Sequence, residues 1–208
     1  MYNDILGSLT RVSVIVWEQL KQFLRKKPCC NNKQRWEEKD GIISFTLPAT
    51  DGTTGPQWIE RLEKKNFRIG DYAKQVLCST DFKPTVGIVN NIAVLKGELF
   101  SSDDNRITKN IRTEADKRKL SKPNAELACL IRENFSNKEI EAMGLVWIIS
   151  MHEPIKDSYG DSILLSADRD YGGPSLLAYH GNPDDRWCRE RGFAFVASQE
   201  TLASGTQI

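Results

Sequence analysis

The sequence predicts a mixed fold of helices and strands on two observations. Several segments set apolar residues at helical spacing, and several shorter ones are apolar or alternating runs of strand length. The clearest strand is Gly144-Leu145-Val146-Trp147-Ile148-Ile149-Ser150-Met151, too short to cross a bilayer and suited to a central position covered on both faces. The firmest helical stripe after the N-terminal segment is Ala125, Leu127, Ala128, Leu130 and Ile131, one apolar face of a helix. At 208 residues the chain can hold one good-sized core and an appended element.

Residues 5–27 place Ile5, Leu9, Val12, Val16, Leu20 and Phe23 on one helical face, and Arg25-Lys26-Lys27 suits the helix C-terminus or an anionic surface. Pro28 ends that helix, Asn31 to Asp40 reads as a linker, and Gly41 to Leu47 as a strand. A short helix follows, with Thr54 as its cap, Pro56 in the first turn and Trp58, Ile59 and Leu62 on one face. Asn66 to Gly70 breaks it, and Asp71 caps a second helix whose Tyr72, Ala73, Val76 and Leu77 face inward. Thr85 to Leu99 is rich in branched residues and predicts one strand, or a bulged pair around Asn90-Asn91.

Ile107, Ile111 and Ala115 form a thin stripe in a strongly charged helix. There Lys109, Arg112 and Lys117-Arg118-Lys119 alternate with Glu114 and Asp116, so a solvated face is expected in preference to a phosphate site. Ser136 caps a last short helix, with Glu139 in the capping-box position. After the apolar run comes a short strand at Ile163 to Leu165. From Ser166 to Ser198 neither helical nor strand spacing holds until Gly192-Phe193-Ala194-Phe195-Val196, whose phenylalanines share one face and point inward with Trp187. The stretch before that strand, rich in Asp, Arg, Tyr, Gly and Asn, reads as long loops displaying a surface.

Composition narrows the chemistry. Lys plus Arg number 29 against 28 Asp plus Glu, a balance that gives no global reason to expect nucleic acid. Cys29, Cys30, Cys78, Cys129 and Cys188 are an odd set without CxxC spacing, so neither a zinc ribbon nor a disulfide framework is signalled. Only His152 and His180 are available, which leaves a histidine-rich metal site out. Asp168, Asp170, Asp184 and Asp185 invite calcium, but their spacing matches no EF-hand loop. The expectation is therefore no cofactor, with calcium as the alternative. Gly172-Gly173 is followed by Pro174 and no lysine, so no phosphate loop is present. Cys188 lies near His180 and Asp184 in sequence but lacks an evident orienting partner for nucleophilic chemistry. No signal peptide or membrane span is read, which makes the cytoplasm the default expectation.

Asn182-Pro183-Asp184-Asp185-Arg186-Trp187, Arg189 and GFAFV at Gly192 to Val196, together with residues Asp51 to Thr85, which include DGTTGPQWIERLEKKNFRIGDYAKQVL, resemble the variable proteins of diversity-generating retroelements. The resemblance leaves the N-terminal helix and Cys29-Cys30 outside. It implies an α+β fold, a C-type-lectin-like domain with a small twisted antiparallel sheet flanked by helices, plus an appended N-terminal helix. It also implies a C-terminal ligand-binding face whose codons are diversified by adenine-directed mutagenesis. On that reading residues 1–40 are helix and linker, 41–198 the ligand-binding domain, about 166–196 its variable region, and 199–208 a tail. The expected contact residues are Asp168, Arg169, Asp170, Tyr171, Ser175, Tyr179, His180, Asn182, Asp185, Cys188, Glu190 and Arg191, with Arg169, Tyr171, Tyr179 and Arg191 as anchors. The expected partner is a protein, and the chain is expected not to be an enzyme. Two alternatives stand beside it: an enzyme on a fold of the formylglycine-generating type, which needs paired reactive cysteines, and a membrane-associated adaptor anchored through residues 5–30, with Cys29-Cys30 as a lipid-attachment site.

Overall fold

The computed structural model describes residues 34–170 and 172–198. The chain divides into Met1–Gln34 and Arg35–Ile208. The helix expected over residues 5–27, Cys29-Cys30 and the tail at 199–208 lie outside the described residues.

One mixed sheet organises the second unit. Its hairpin β1 (Glu37–Lys39) and β2 (Ile42–Thr46) turns at Asp40 and Gly41, both with positive φ. The linker expected over Asn31 to Asp40 is thus in part an edge strand. Its three charged residues hide it from a periodicity argument, and charge on an edge discourages pairing with other chains. Helix α1 (Gly55–Lys64) opens as predicted, the Thr54 N–H donating to Gln57 Oε1 at 2.9 Å, with Trp58 and Leu62 fully buried. After β3 (Arg68–Ile69), helix α2 (Asp71–Cys78) buries Ala73, Val76 and Leu77. Tyr72 points outward, contrary to expectation, because those three residues already span the face that meets α1.

The branched segment from Thr85 yields a single strand, β4 (Asn91–Lys96). Residues 85–90 form a loop instead, with Val86, Ile88 and Val89 exposed. Backbone and side chain of Thr50 and the Glu126 carboxylate satisfy that loop: Gly87 N donates to Thr50 O at 2.7 Å, Ile88 N to Thr50 Oγ1 at 3.1 Å and Thr85 Oγ1 to Glu126 at 2.9 Å. With its backbone groups paired there, the segment does not extend the sheet.

Three helices then follow: α3 (Thr108–Lys117), α4 (Glu126–Asn134) and α5 (Asn137–Ala142), the last with the predicted Ser136–Glu139 capping box. The remaining strands are β5 (Trp147–Ser150), β6 (Ile155–Lys156), β7 (Ser162–Asp170), β8 (Gly173–His180) and β9 (Arg191–Val196). Sheet order is β1-β2-β4-β9-β5-β7-β8-β3, with β6 beside β7; β5/β9 and β3/β8 are parallel and the other pairs antiparallel. One sheet and five helices among the described residues are consistent with the α+β class. A nine-stranded mixed sheet corrects the expectation of a small antiparallel one. The apolar run at Gly144 to Met151 supplies β5 at the centre, between β9 and β7.

Both faces of the sheet are covered. Trp58, Leu62, Val76, Leu77, Leu127, Ile131, Ile148 and Leu165 pack on the α1, α2 and α4 side, whereas Leu95, Ile111, Ile149, Leu164, Trp187, Phe193 and Phe195 pack on the α3 side. Cover on both faces explains the largest misreading. The stretch taken for loops after Ser166 is mostly the β7/β8 hairpin, paired from Ile163↔His180 to Asp170↔Gly173. Ile163, Leu165 and Ala167 face one apolar cluster while Leu164, Ser166 and Asp168 face the other side, all buried. With polar residues on a buried face, alternation of apolar and polar no longer marks the strand.

His152 sits just past β5, only 1% exposed. Its Nε2 accepts the Leu165 N–H at 3.0 Å, so the proton is on Nδ1, which faces Glu153 O at 2.7 Å. Burial, aided by the nearby Arg112 charge, pulls its pKa down to about 4. The Arg112 guanidinium itself is not solvated as predicted but donates to Met151 O at 3.1 Å and His152 O at 2.8 Å. Because the folded pKa lies below the unfolded one, the contribution of the neutral ring is complete above pH 6.5 and lost as pH falls towards 4. Urea unfolding is expected to show about 3 kcal/mol more loss between pH 7 and pH 4 in the wild type than in His152→Gln. Equal losses in the two proteins would refute this assignment.

Candidate functional site

Strand register assembles the site. Trp147 of β5 lies opposite Arg191 of β9 on one side and Asp168 of β7 on the other, and Asp168 lies opposite Ser175 of β8. Directly opposed residues share a face, so Arg191, Trp147, Asp168 and Ser175 make one row across four strands, which Arg68 of β3 extends opposite Ser175. The next row is Phe193, Ile149, Ser166 and Leu177, largely an apolar floor. The polar row therefore marks where the α3-side core ends.

Arg191 is half-buried, its guanidinium carbon 4.0 Å from the centre of the Trp147 ring, 5.2 Å from Trp187 and 5.4 Å from Tyr179. Cation–aromatic contacts of this kind stabilise by about 0.5–2 kcal/mol each. Burial pulls the Arg191 pKa below its ordinary value, with charge at Cys188, Tyr179, Asp168 and Glu190 acting the other way. The Nε is buried without a partner, and the guanidinium makes no hydrogen bond or ion pair among the described residues. The Trp147 indole N–H is likewise buried and unpaired among them.

The walls are held from several directions. Trp147 and Tyr179 stack at 4.8 Å with their planes 25° apart. Tyr179 donates its hydroxyl to Asp168 Oδ2 at 2.7 Å and Ser166 donates to Oδ1. From the far side of the sheet, Arg132 of α4 donates to the Asp168 carbonyl at 2.7 Å. Trp187 is fixed by its indole N–H to Thr108 Oγ1 at 2.9 Å, at the start of α3, and by edge contacts to Tyr179 and Phe193. The buried Arg106 clamps the adjoining chain through Gly97 O, Phe100 O and Trp187 O. The result is a cation held among three rings before any ligand arrives, which reduces the ordering cost of binding.

The predicted contact residues fall into three groups. Asp168, Ser175, Tyr179 and Arg191 come together, although Asp168 and Ser175 are fully buried. Those two are corrected from displayed residues to framework, because their strand positions face the covered side of the sheet. Arg169 points to the other face, donating to Leu145 O at 2.7 Å and pairing with Glu141 at 3.4 Å. His180, Asn182, Cys188 and Glu190 are exposed, and Asp185 half-buried. Asn182 and Asp185 close their own turn, the Asn182 N–H donating to Asp185 Oδ2 at 2.6 Å. Tyr171 and the Asp170 side chain lie outside the described residues.

Trp147 and Ser166 were not foreseen. The only sequence signal for Trp147 is an amphipathic aromatic at the start of a buried strand. Arg106 and Arg132, which hold the frame, sit in charged contexts that read as surface. A separate concavity of about 380 Å³ on the α4 side is lined by Phe67, Arg132, Phe135, Asn137 and Pro174 among others. Its cation, Arg132, is sealed at 0% exposure and already donates to the carbonyls of Asp168 and Phe135, so this concavity offers a ligand less than Arg191 does.

Cys78, Cys129 and Cys188 are unpaired thiols, with Cys129 buried and its pKa raised by burial. Among the described residues no three His, Cys, Asp or Glu side chains gather as a metal-holding group. No helix among them is long and apolar enough to cross a membrane.

The fold and the site thus define a mixed α/β protein with an aromatic-stacked arginine at one end of its sheet. Comparison with family models, curated proteins and solved structures finds no match to the chain.

Proposed function

We propose that this chain is a ligand-binding protein, not an enzyme, whose contact face lies around Arg191 and whose ligand is another protein. Arg191 carries the reading: a half-buried cation among three aromatic rings, without hydrogen bond or ion pair among the described residues. Arg, Trp and Tyr in such settings are the residues that dominate interface energetics. Exposed Cys188 and Glu190 lead directly into Arg191, and exposed His180 and Asn182 stand where the chain leaves β8.

The family resemblance enters as a manner of working. In it a rigid, C-type-lectin-like frame presents a replaceable surface, and adenine-directed diversification acts on exposed positions such as His180, Asn182, Cys188 and Glu190. Asp168, Ser175, Trp147 and Trp187 belong to the frame. DNA flanking the gene should then carry a near-copy of the 3′ coding segment, differing mainly at adenines, beside a reverse-transcriptase gene. Its absence would remove diversification while leaving ligand binding to be judged separately.

Binding is tested by selecting a displayed random-peptide library on the purified full chain. Enriched peptides are expected to lose at least about tenfold in affinity on Arg191→Ala or Tyr179→Ala, the size of a modest hot spot. Peptides indifferent to both substitutions would place the contact face elsewhere.

A further inference from the structure

We infer that the Arg191 site recognises a carboxylate, presented beside an aromatic or other apolar group. The inference rests on the ligand-binding reading above and names the chemistry of its central contact. The Arg191 guanidinium carbon is held 4.0 Å from the centre of the Trp147 ring, and a planar fork of N–H donors matches a carboxylate in two parallel hydrogen bonds. The desolvated cation lacks a counter-charge in hydrogen-bonding range among the described residues, while its partly open surroundings leave room for one from outside.

Charge decides which anion. Asp168 and Glu190 both act on Arg191 through their fields, whereas Arg68 of β3, opposite Ser175 at the far end of the row, stands four strand spacings, about 19 Å, from Arg191. One cation beside two acids leaves a local excess of negative charge, which favours the ligand that adds the least of it. A phosphate dianion would meet about twice the net repulsion of a monoanionic carboxylate, which makes the same two parallel hydrogen bonds to the fork. The half-buried Trp147 and Tyr179 rings give an apolar neighbour of that carboxylate a surface to cover.

The test follows the side-chain N–H signals of Arg191 Nε and of the Trp147 indole by NMR in the full chain. It titrates benzoate, N-acetylphenylalanine as a chain-end carboxylate, acetyl-Phe-Asp-Phe-amide as a side-chain carboxylate, and inorganic phosphate. At least one carboxylate is expected to shift both signals saturably with a millimolar dissociation constant, and phosphate to bind at least about tenfold more weakly. Whichever peptide saturates first identifies the source. Arg191→Gln should abolish the Trp147 shift, and Arg191→Lys, which keeps the charge but not the fork, should weaken it at least about tenfold. An unperturbed Trp58 indole signal certifies that each variant is folded. The inference is overturned by phosphate binding as tightly as the carboxylates, by shifts that persist in Arg191→Gln, or by no saturation up to about 50 mM, weaker than one bidentate pair should give. These probes need no protein partner. Failure here with peptide binders in hand leaves the ligand-binding reading intact, whereas loss of both removes it.

Discussion

Replacing Gly55 with alanine is expected to destabilise the fold by about 3 kcal/mol or more. A Cβ built on Gly55 falls 1.7 Å from the Leu77 carbonyl oxygen and 2.5 Å from its carbon. Both obstacles are backbone, so no rotamer change relieves them. The first turn of α1 would have to move away from the end of α2, and the contacts among Trp58, Leu62, Ala73, Val76 and Leu77 would open with it. Helix propensity alone favours alanine by up to about 1 kcal/mol, so a destabilised variant shows packing overriding propensity. Urea unfolding measures the change; a midpoint equal to the wild type's would mean that α1 and α2 approach less closely than 1.7 Å implies.

Arg106→Ala is expected to cost about 3–5 kcal/mol and to loosen the Arg191 site. Arg106 is 3% exposed and donates to Gly97 O at 2.8 Å, Phe100 O at 3.2 Å and Trp187 O at 3.3 Å. Its ion pair with Asp103, at 2.7 Å, adds little because that carboxylate is 86% exposed. Removing the guanidinium strands the Phe100 and Trp187 carbonyls, leaves Gly97 O with the Phe100 N–H alone, and frees the chain that seats Trp187, one of the rings around Arg191. Arg106→Met restores part of the buried volume without the donors and should recover less than half of the loss. Full recovery in the methionine variant would show that Arg106 acts through packing instead.

The elements that could be read before folding were those with a local cause. The Ser136–Glu139 box, Pro56 in the first turn of α1, the α4 stripe and the inward phenylalanines of β9 each follow from a few neighbouring residues. The β7/β8 hairpin was illegible because Ser166, Asp168 and Ser175 lie on a covered face, where burial of polar residues removes the alternation a half-exposed strand would show. Strand β1 was hidden for the opposite reason: all of its residues are exposed and charged.

The candidate site divides along the same line. Tyr179 and Arg191 could be singled out as contact residues from their type and their neighbours. That Trp147, from a segment more than forty residues earlier in the chain, forms the floor under Arg191 depends on the parallel pairing of β5 with β9. Likewise, the roles of Asp168, as acceptor for Tyr179 and Ser166, and of Arg132 behind it exist only once the strands are aligned. By itself the sequence determined helix caps, apolar stripes, the central strand and the residue types available for recognition, since each depends on interactions within a few residues. Tertiary structure alone decided which of those residues are framework and which face a ligand, because register across distant strands sets every side chain's face and its partners.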